Sequence, residues 1–216
     1  MITDYDLIVF DWDGTLVDSI DWIVECIQDV ADDQNLIKPS KQACKDVIGL
    51  SLSEAMLQLF PSISDEDKTA MVATYRTTYV AKGISNNDLF LDALPVLNAL
   101  KKMNKTLAVA TGKGQAGLDR GLDGTGIRDY FEHLRCADNM QSKPSPQMLF
   151  DIMKESQVEP DKMLMIGDST LDLIMAKNAG VASIGVTTGA HSLETLMEHA
   201  SLGCISRLSE LLPKGG

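Results

Sequence analysis

The segment Leu7-Ile-Val-Phe-Asp-Trp-Asp-Gly-Thr15 decides the fold of this 216-residue chain. It opens with an apolar run typical of a buried parallel strand, then changes at once to two carboxylates, Asp11 and Asp13, followed by Gly14. Side chains two residues apart on a strand face the same way, and a glycine lets the backbone turn over a ligand. The segment predicts a strand that presents an acidic pair, although alone it also fits a strand that ends in an acidic turn.

Apolar runs elsewhere in the chain extend this pattern to a whole sheet. Buried parallel strands are predicted at 7–12, 106–111, 163–168 and 183–187. Helices are predicted between them at 93–103, 146–157 and 172–179, and Gly180 is placed to end the last one. Alternating strands and helices predict an α/β fold with a doubly wound parallel sheet and a site at the carboxyl ends of its strands.

A long stretch between the first two predicted strands has helical character instead. Apolar residues recur there at helical spacing, and Ser64 precedes three acidic residues in the manner of a helix start. The apolar series is Val17, Ile20, Val24, Ile27 and Ala31. We predict an inserted all-helical cap at residues 17–88, with the α/β core formed by residues 1–16 and 89–216.

The net charge and the cysteines indicate which kinds of partner and which cellular compartment to expect. The formal net charge of −12 argues against nucleic acid or an anionic membrane, because either would require a basic surface. The four cysteines are scattered, without metal-ligand spacing, which indicates free thiols in a reducing compartment. The first residues lack a basic segment before an apolar core, and no apolar run is long enough to span a bilayer. These observations predict a cytoplasmic protein.

Three further groups of polar residues follow predicted strands or lie in the loops beyond them. Thr111 and Gly112 could donate to a phosphate, although Thr-Gly after a strand is usually a turn. Lys143 is followed by two prolines, Pro144 and Pro146, which fix the backbone beside it, although it could also be a solvated loop lysine. Asp168 and Asp172 are one helical turn apart, which suits a hard cation, although an aspartate there could also cap a helix.

In this order the motifs resemble the haloacid dehalogenase superfamily, and the helical insertion is similar to the subgroup that includes phosphoglycolate phosphatases. The resemblance covers essentially the whole chain, and the combination of DxDGT with a later GDxxxD is specific. It implies a Mg²⁺-dependent phosphatase that hydrolyses a small soluble phosphomonoester through an aspartyl-phosphate.

The resemblance also implies roles for individual residues. Asp11 would be the nucleophile and Asp13 the general acid and base. Thr111, the amide of Gly112 and Lys143 would hold the phosphate oxygens, and Lys143 counts among the catalytic residues. Magnesium would be held by Asp11, the main-chain carbonyl of Asp13 and Asp168, with support from Asp172.

Some features depart from the family pattern or stay unassigned. Many relatives have Asn where this chain has Gly112. Six glycines between 112 and 126 predict a loose region, because each costs a helix roughly 1 kcal/mol relative to alanine. Arg76 and Lys82 could touch an anionic substrate but are more typical of solvated helix charges. The chain's histidines, His133, His191 and His199, show no partner pattern.

Three other functions fit parts of the pattern. A phospho-receiver domain shares the acidic residues, a threonine and a lysine, but leaves Asp13 and the helical insertion unexplained. A binding module without turnover would keep the same pocket. A sugar phosphomutase is disfavoured because the turn at 48–52 lacks the Lys and Arg typical of those relatives.

Overall fold

The computed structural model describes residues 2–138 and 140–213 and contains a six-stranded, entirely parallel sheet. The strand order is β3-β2-β1-β4-β5-β6. The strands are β1 (Leu7–Phe10), β2 (Thr106–Ala110), β3 (His133–Arg135), β4 (Met163–Gly167), β5 (Ala182–Val186) and β6 (Cys204–Ile205). The predicted doubly wound α/β sheet is confirmed.

Nine α-helices accompany the sheet in the described ranges. The first four of them follow β1 in the chain: α1 (Ile20–Asp33), α2 (Lys41–Asp46), α3 (Leu52–Leu59) and α4 (Asp65–Ala81). The others are α5 (Ala93–Lys102), α6 (Gln115–Thr125), α7 (Gln147–Ser156), α8 (Thr170–Ala179) and α9 (Leu193–Met197). Ser64 accepts a hydrogen bond from the amide of Asp67 and caps α4, and Gly180 ends α8 in the left-handed conformation, both as the sequence indicates.

The three central strands are buried on both faces of the sheet. In β1, Ile8 and Phe10 pack into one apolar cluster with α5 and α6, while Leu7 and Val9 pack into a second with α7 and α8. Alternating side chains on a strand point to opposite faces, so a continuous apolar run is what a sheet covered on both sides requires. This packing fixes the strand ends, where the polar residues lie.

Helices α1 to α4 form a separate apolar cluster, and residues 20–81 are called the four-helix segment below. The cluster includes Ile23, Ile27, Met56 and Met71. Within the described part of the chain, Ala190 is its only buried member from outside the four-helix segment. Val17 was predicted to continue the helical face, but it packs in the sheet's cluster and α1 begins at Ile20. The exact division of the chain into core and cap stays a prediction.

The glycine-rich region is helical, so the prediction of a loose segment was wrong. Helix α6 contains Gly117, Gly121 and Gly124. A Cβ on Gly121 would lie 2.6 Å from the Trp12 ring, and one on Gly124 would overlap the carbonyl oxygen of Ile84. Close packing against the sheet and the preceding loop therefore offsets the poor helix propensity of glycine.

Candidate active site

The sequence-predicted polar residues meet at the carboxyl edge of the sheet. Asp11 follows β1, Thr111 follows β2 and Asp168 follows β4. Because the strands are parallel, their carboxyl ends lie together at one edge of the sheet. Asp172 lies in the first turn of α8, and Lys143 comes from the loop before α7. All five side chains are buried.

Lys143 joins two of the carboxylates. Its Nζ atom donates to Oδ1 of Asp11 at 2.7 Å and to Oδ1 of Asp172 at 2.6 Å, and its side chain is fully buried. Burial alone would lower the pKa of Lys143, but the charges of Asp11 and Asp172 outweigh it and raise the pKa. Lys143 is thus a permanently charged, internal counterion and not a solvated loop lysine.

Asp11, Asp168 and Asp172 form an acidic cluster. Each offers one carboxylate oxygen, and these atoms lie within 4.8 Å of one another. Burial, followed by the charge of Asp172, raises the pKa of Asp11 to about 7 despite Lys143. Burial and the charges of Asp11 and Asp172 also raise the pKa of Asp168 well above its usual range. Three buried carboxylates with one ammonium form an incompletely neutralised oxygen donor set, and such a set fits a hard divalent cation.

Local hydrogen bonds fix the orientation of Asp168. Thr15 Oγ1 donates to its Oδ1 at 2.9 Å, and the amide of Ala190 donates to its Oδ2 at 2.7 Å. Gly14 has a φ of 77°, and a Cβ there would overlap the Asp168 carboxylate. The glycine of the first motif is therefore needed both for its backbone conformation and for the close approach of Asp168.

Asp172 is held from two sides. Its Oδ1 accepts from Lys143, and its Oδ2 accepts from the hydroxyl of Ser169 at 2.6 Å. Ser169 caps α8 through the amide of Asp172, so the capping role considered for Asp168 belongs to Ser169. With both oxygens engaged inside the protein, Asp172 is arranged to support the cluster.

Asp13 is not a member of the acidic cluster and has partners of its own. Ser19 Oγ donates to Oδ1 of Asp13 at 2.7 Å, and Lys113 Nζ lies 3.0 Å from Oδ2. Lys113 also donates to the Tyr79 hydroxyl at 3.2 Å and lies 4.3 Å from the centre of that ring. The two carboxylates of the first motif, Asp11 and Asp13, thus have different counterions: Lys143 for Asp11 and Lys113 for Asp13.

Lys113, Ser19 and Thr15 were missed by the reasoning from sequence. Lys113 directly follows Gly112 at the end of β2, so a second cation next to the motif threonine was a signal in the sequence. Thr15 belongs to the quoted first segment, and its hydroxyl could have been assigned to a neighbouring carboxylate. Ser19 offered no signal, because only the fold of the 14–19 turn brings it to Asp13.

Gly112 lies against the four-helix segment. A Cβ on Gly112 would overlap the carbonyl oxygen of Gly49 and lie 2.5 Å from that of Leu50. The amide of Ser51 also donates a hydrogen bond to Ser142 Oγ, on the sheet side, at 2.8 Å. An asparagine at position 112 would therefore require the loop at 49–50 to move away.

His191 has partners that the sequence did not reveal. Its Nδ1 atom accepts from the amide of Thr170 at 3.2 Å, and its Nε2 atom lies 3.7 Å from Oδ1 of Asp46. Burial lowers the pKa of His191, which favours the neutral ring that accepts this hydrogen bond. The histidine thus supports the start of α8 and the contact with α2.

A cavity of about 310 Å³ lies between the sheet edge and the four-helix segment. Asp11, Asp13, Thr111, Gly112 and Lys113 line it from the sheet side. Of the acidic cluster, Asp11 is the member that lines the cavity, while Lys143 lies buried behind it. Two carboxylates, those of Asp11 and Asp13, therefore line the same cavity.

Within residues 2–138 and 140–213, no helix is both long and apolar enough to cross a bilayer.

Comparisons with known proteins agree with this architecture. The probable phosphatase IndB of Dickeya dadantii is 33% identical over 210 residues, covering 95% of this chain and 91% of that protein. A phosphoglycolate phosphatase of Vibrio vulnificus is 32% identical over 192 residues, covering 85% and 84%. The crystal structure of a Bacteroides fragilis protein assigned to the haloacid dehalogenase-like hydrolases is 28% identical, with a TM-score of 0.86 over 96% of this chain and 100% of that one.

A sequence profile of one family spans most of the chain. The profile of haloacid dehalogenase-like hydrolases matches residues 8–186, from the first strand to the end of β5. The match includes Asp11, Asp13, Lys143 and Asp168, the polar residues already described at the carboxyl edge of the sheet. By profile, by identity to curated relatives and by fold, the chain belongs to the haloacid dehalogenase-like hydrolase family.

Proposed function

We propose that this protein is a Mg²⁺-dependent phosphatase that transfers the phosphoryl group of a small phosphomonoester to Asp11 and then to water. The observation that carries the proposal is the buried cluster of Asp11, Asp168, Asp172 and Lys143, in which Asp11 faces a cavity. A covalent intermediate divides one difficult displacement into two easier steps. Relatives named phosphatase and phosphoglycolate phosphatase support the same class of reaction.

The metal would be held by Asp11, the main-chain carbonyl of Asp13 and Asp168, with Asp172 in support. When bound, Mg²⁺ supplies positive charge that lets an anionic carboxylate approach an anionic phosphate. Lys143 contributes in the same sense, because it already donates to Asp11 and can contact a phosphoryl oxygen once that group is on Asp11. Thr111 and the amide of Gly112 would hold the other phosphate oxygens.

Asp13 would give a proton to the leaving oxygen and then take one from the attacking water. Its hydrogen bond from Ser19 and its ion pair with Lys113 hold the carboxylate in one orientation. These contacts suit a group that must return to the same position in both steps. The proposed roles of Asp11 and Asp13 thus follow their different surroundings.

The four-helix segment would act as the cap, with residues 17–88 as its bounds. Its loop 47–51 already touches Gly112 and Ser142 on the sheet side. A cap in this position excludes water from the phosphoenzyme and excludes phosphoproteins and polynucleotides from the site.

The free cysteines are consistent with a reducing, cytoplasmic environment.

The test is sustained release of inorganic phosphate from a panel of small esters, including p-nitrophenyl phosphate, with Mg²⁺ and with EDTA. We expect many turnovers with Mg²⁺ and none with EDTA. A receiver-like domain would stop after one phosphorylation, and a binding module would release nothing. A phosphomutase would move the phosphoryl group to a second sugar position without releasing it.

Replacing Lys143 by Ala is expected to lower kcat for p-nitrophenyl phosphate by at least about 10²-fold, as loss of a preorganised charge-stabilising donor does. The substitution also leaves Asp11 and Asp172 unpaired, so the unfolding temperature should fall. The measurement is steady-state kinetics below that temperature.

Lys105→Ala is the matched control for the Lys143 variant. Lys105 is also buried, but it directly precedes β2, at the end of the strand opposite to the site, and it donates to the carbonyl oxygens of Thr3 and Tyr5. We expect this variant to lose stability and to keep its turnover. If Lys143→Ala changed kcat by less than tenfold, the assignment of Lys143 to the reaction would be wrong.

Gly112→Ala tests the contact between the sheet and the four-helix segment. The added methyl group must push the Gly49 carbonyl away, and a shift of about 1 Å in positioning groups can cost about 10²-fold. We expect kcat/KM for p-nitrophenyl phosphate to fall by at least about tenfold. Gly203→Ala is the control: it has a φ of 88° and open space, so it should cost stability without changing kcat/KM. Equal kcat/KM in Gly112→Ala and the parent would mean that closure at this point is not needed.

A further inference from the structure

The cavity is larger and more apolar than a two-carbon leaving group needs. Beyond Asp11 and Asp13 its wall is built from apolar and aromatic side chains of the four-helix segment, including Ile23, Ile27, Leu50, Leu52, Tyr75 and Tyr79. Its volume of about 310 Å³ lies at the lower end of the range found for pockets that hold drug-sized ligands. An apolar ligand removes this apolar surface from water, which is favourable, whereas a small polar ligand leaves the surface in contact with water.

Two arginines line the same cavity from opposite sides. Arg76 comes from α4 in the four-helix segment, and Arg120 comes from α6, which packs on the sheet. Within residues 2–138 and 140–213, neither guanidinium has an ion pair or a hydrogen bond. Both residues are exposed, in a chain whose net charge is −12. Two unpaired guanidiniums that share one space are suited to bind a carboxylate or a phosphate.

The other charged groups at the cavity are already engaged. Lys113 pairs with Asp13 and contacts Tyr79. Asp138 also lines the cavity. Its carboxylate accepts a hydrogen bond from the amide of Gln115 at 2.7 Å and makes no ion pair with Arg120 in the described structure. The free positive charge at the cavity therefore belongs to Arg76 and Arg120.

We infer that the substrate is a phosphomonoester with an apolar body, aromatic or branched aliphatic, and a second anionic group that Arg76 and Arg120 bind. This inference rests on the proposed phosphatase activity and specifies its substrate class. The scissile phosphate lies at Asp11, the body covers the apolar wall, and the second anion lies between helices α4 and α6. Binding of that anion also joins the four-helix segment to the sheet side.

Binding of phosphonates tests the inference without requiring turnover, because carbon replaces the bridging oxygen. The ligands are phosphonoacetate, 4-carboxybenzylphosphonate and 3-(4-carboxyphenyl)propylphosphonate, with carbamoyl analogues of the two aromatic compounds. Isothermal titration calorimetry with Mg²⁺ gives each Kd. We expect at least one aromatic acid to bind about tenfold or more tightly than both its carbamoyl analogue and phosphonoacetate, the effect of one added charged hydrogen bond.

The double variant Arg76→Gln/Arg120→Gln should bring the acid and its carbamoyl analogue to within about threefold of each other. Arg207→Gln, which removes an exposed guanidinium outside the cavity, should keep the full preference. Circular dichroism confirms that each variant is folded. Equal affinity for acid and amide in the parent protein, or a preference that survives in the double variant, overturns the assignment of the arginines. Equal affinity for phosphonoacetate and the aromatic acids overturns the apolar body.

The two proposals fail in different ways. If p-nitrophenyl phosphate is turned over with Mg²⁺ but the phosphonates show no preference, the phosphatase stands and the substrate class is wrong. If no ester is turned over but the acid preference is present and lost in the double variant, the binding site stands and the phosphatase is wrong.

Discussion

Replacing Asp11 by Asn is expected to abolish turnover of p-nitrophenyl phosphate, with kcat lower by at least about 10⁴-fold, as when other enzymes lose a covalent nucleophile. The amide is not a competent nucleophile and is a poor ligand for a hard cation. Steady-state phosphate release with Mg²⁺ measures the effect. Asp161→Asn, an exposed change at the opposite end of β4, should leave kcat unchanged.

The Asp11→Asn variant should lose activity without losing its fold. The pKa of Asp11 is raised to about 7 by burial and by Asp172, so its ionised form is disfavoured in the folded protein. A carboxylate whose folded pKa lies above its unfolded value costs stability as pH rises above the unfolded value, and a neutral amide removes that cost. We therefore expect an unfolding temperature without Mg²⁺ at pH 8 that is no lower than that of the parent. Near-normal turnover in this variant would remove the nucleophile assignment.

Asp13→Asn is expected to fail at a different step. Its steady-state turnover should fall by about 10³-fold, within the range for loss of a general acid and base. p-Nitrophenolate is a good leaving group that needs little acid assistance, so phosphorylation of Asp11 can still occur. Hydrolysis of the intermediate still needs a base. Stopped-flow absorbance should therefore show a partial burst of nitrophenolate followed by a very slow phase.

Ser19→Ala provides a graded control for this prediction. It removes the hydrogen bond to Oδ1 of Asp13 but keeps the carboxylate and its ion pair with Lys113. We expect slower turnover by about tenfold or less and no persistent intermediate. Loss of both burst and turnover in Asp13→Asn would mean that Asp13 is needed before or during attack.

The sheet and the ends of its central strands were predictable because their signals are local. The apolar runs before Asp11, Thr111 and Asp168 are buried on both faces, so their composition alone indicates parallel strands. Each of these predicted runs extended past the structural strand, and the added residues include Asp11, Thr111 and Asp168 of the site. Strands β3 and β6 were missed because they are short, half-buried edge strands with no continuous apolar run.

Other features depend on contacts between distant parts of the chain. In helix α6, Trp12 and Ile84 lie where side chains on Gly121 and Gly124 would be. This close packing stabilises the helix although glycine is a poor helix former. The proximity of Gly112 to Gly49 depends on how the four-helix segment meets the sheet, which no local pattern encodes. For the same reason the sequence could offer Arg76 only as a solvated charge, whereas the structure places it with Arg120 around one cavity.

The most direct test of the central claim is peptide mass spectrometry of acid-quenched Asp13→Asn protein after mixing with p-nitrophenyl phosphate and Mg²⁺. The account predicts one phosphoryl group on the peptide that contains Asp11, stable to acid and removed by hydroxylamine, as expected for an acyl phosphate. The double variant Asp11→Asn/Asp13→Asn should carry none. Phosphate on any other residue, or phosphate release by the parent protein with no phosphoryl group on Asp11 of the variant, would contradict the account.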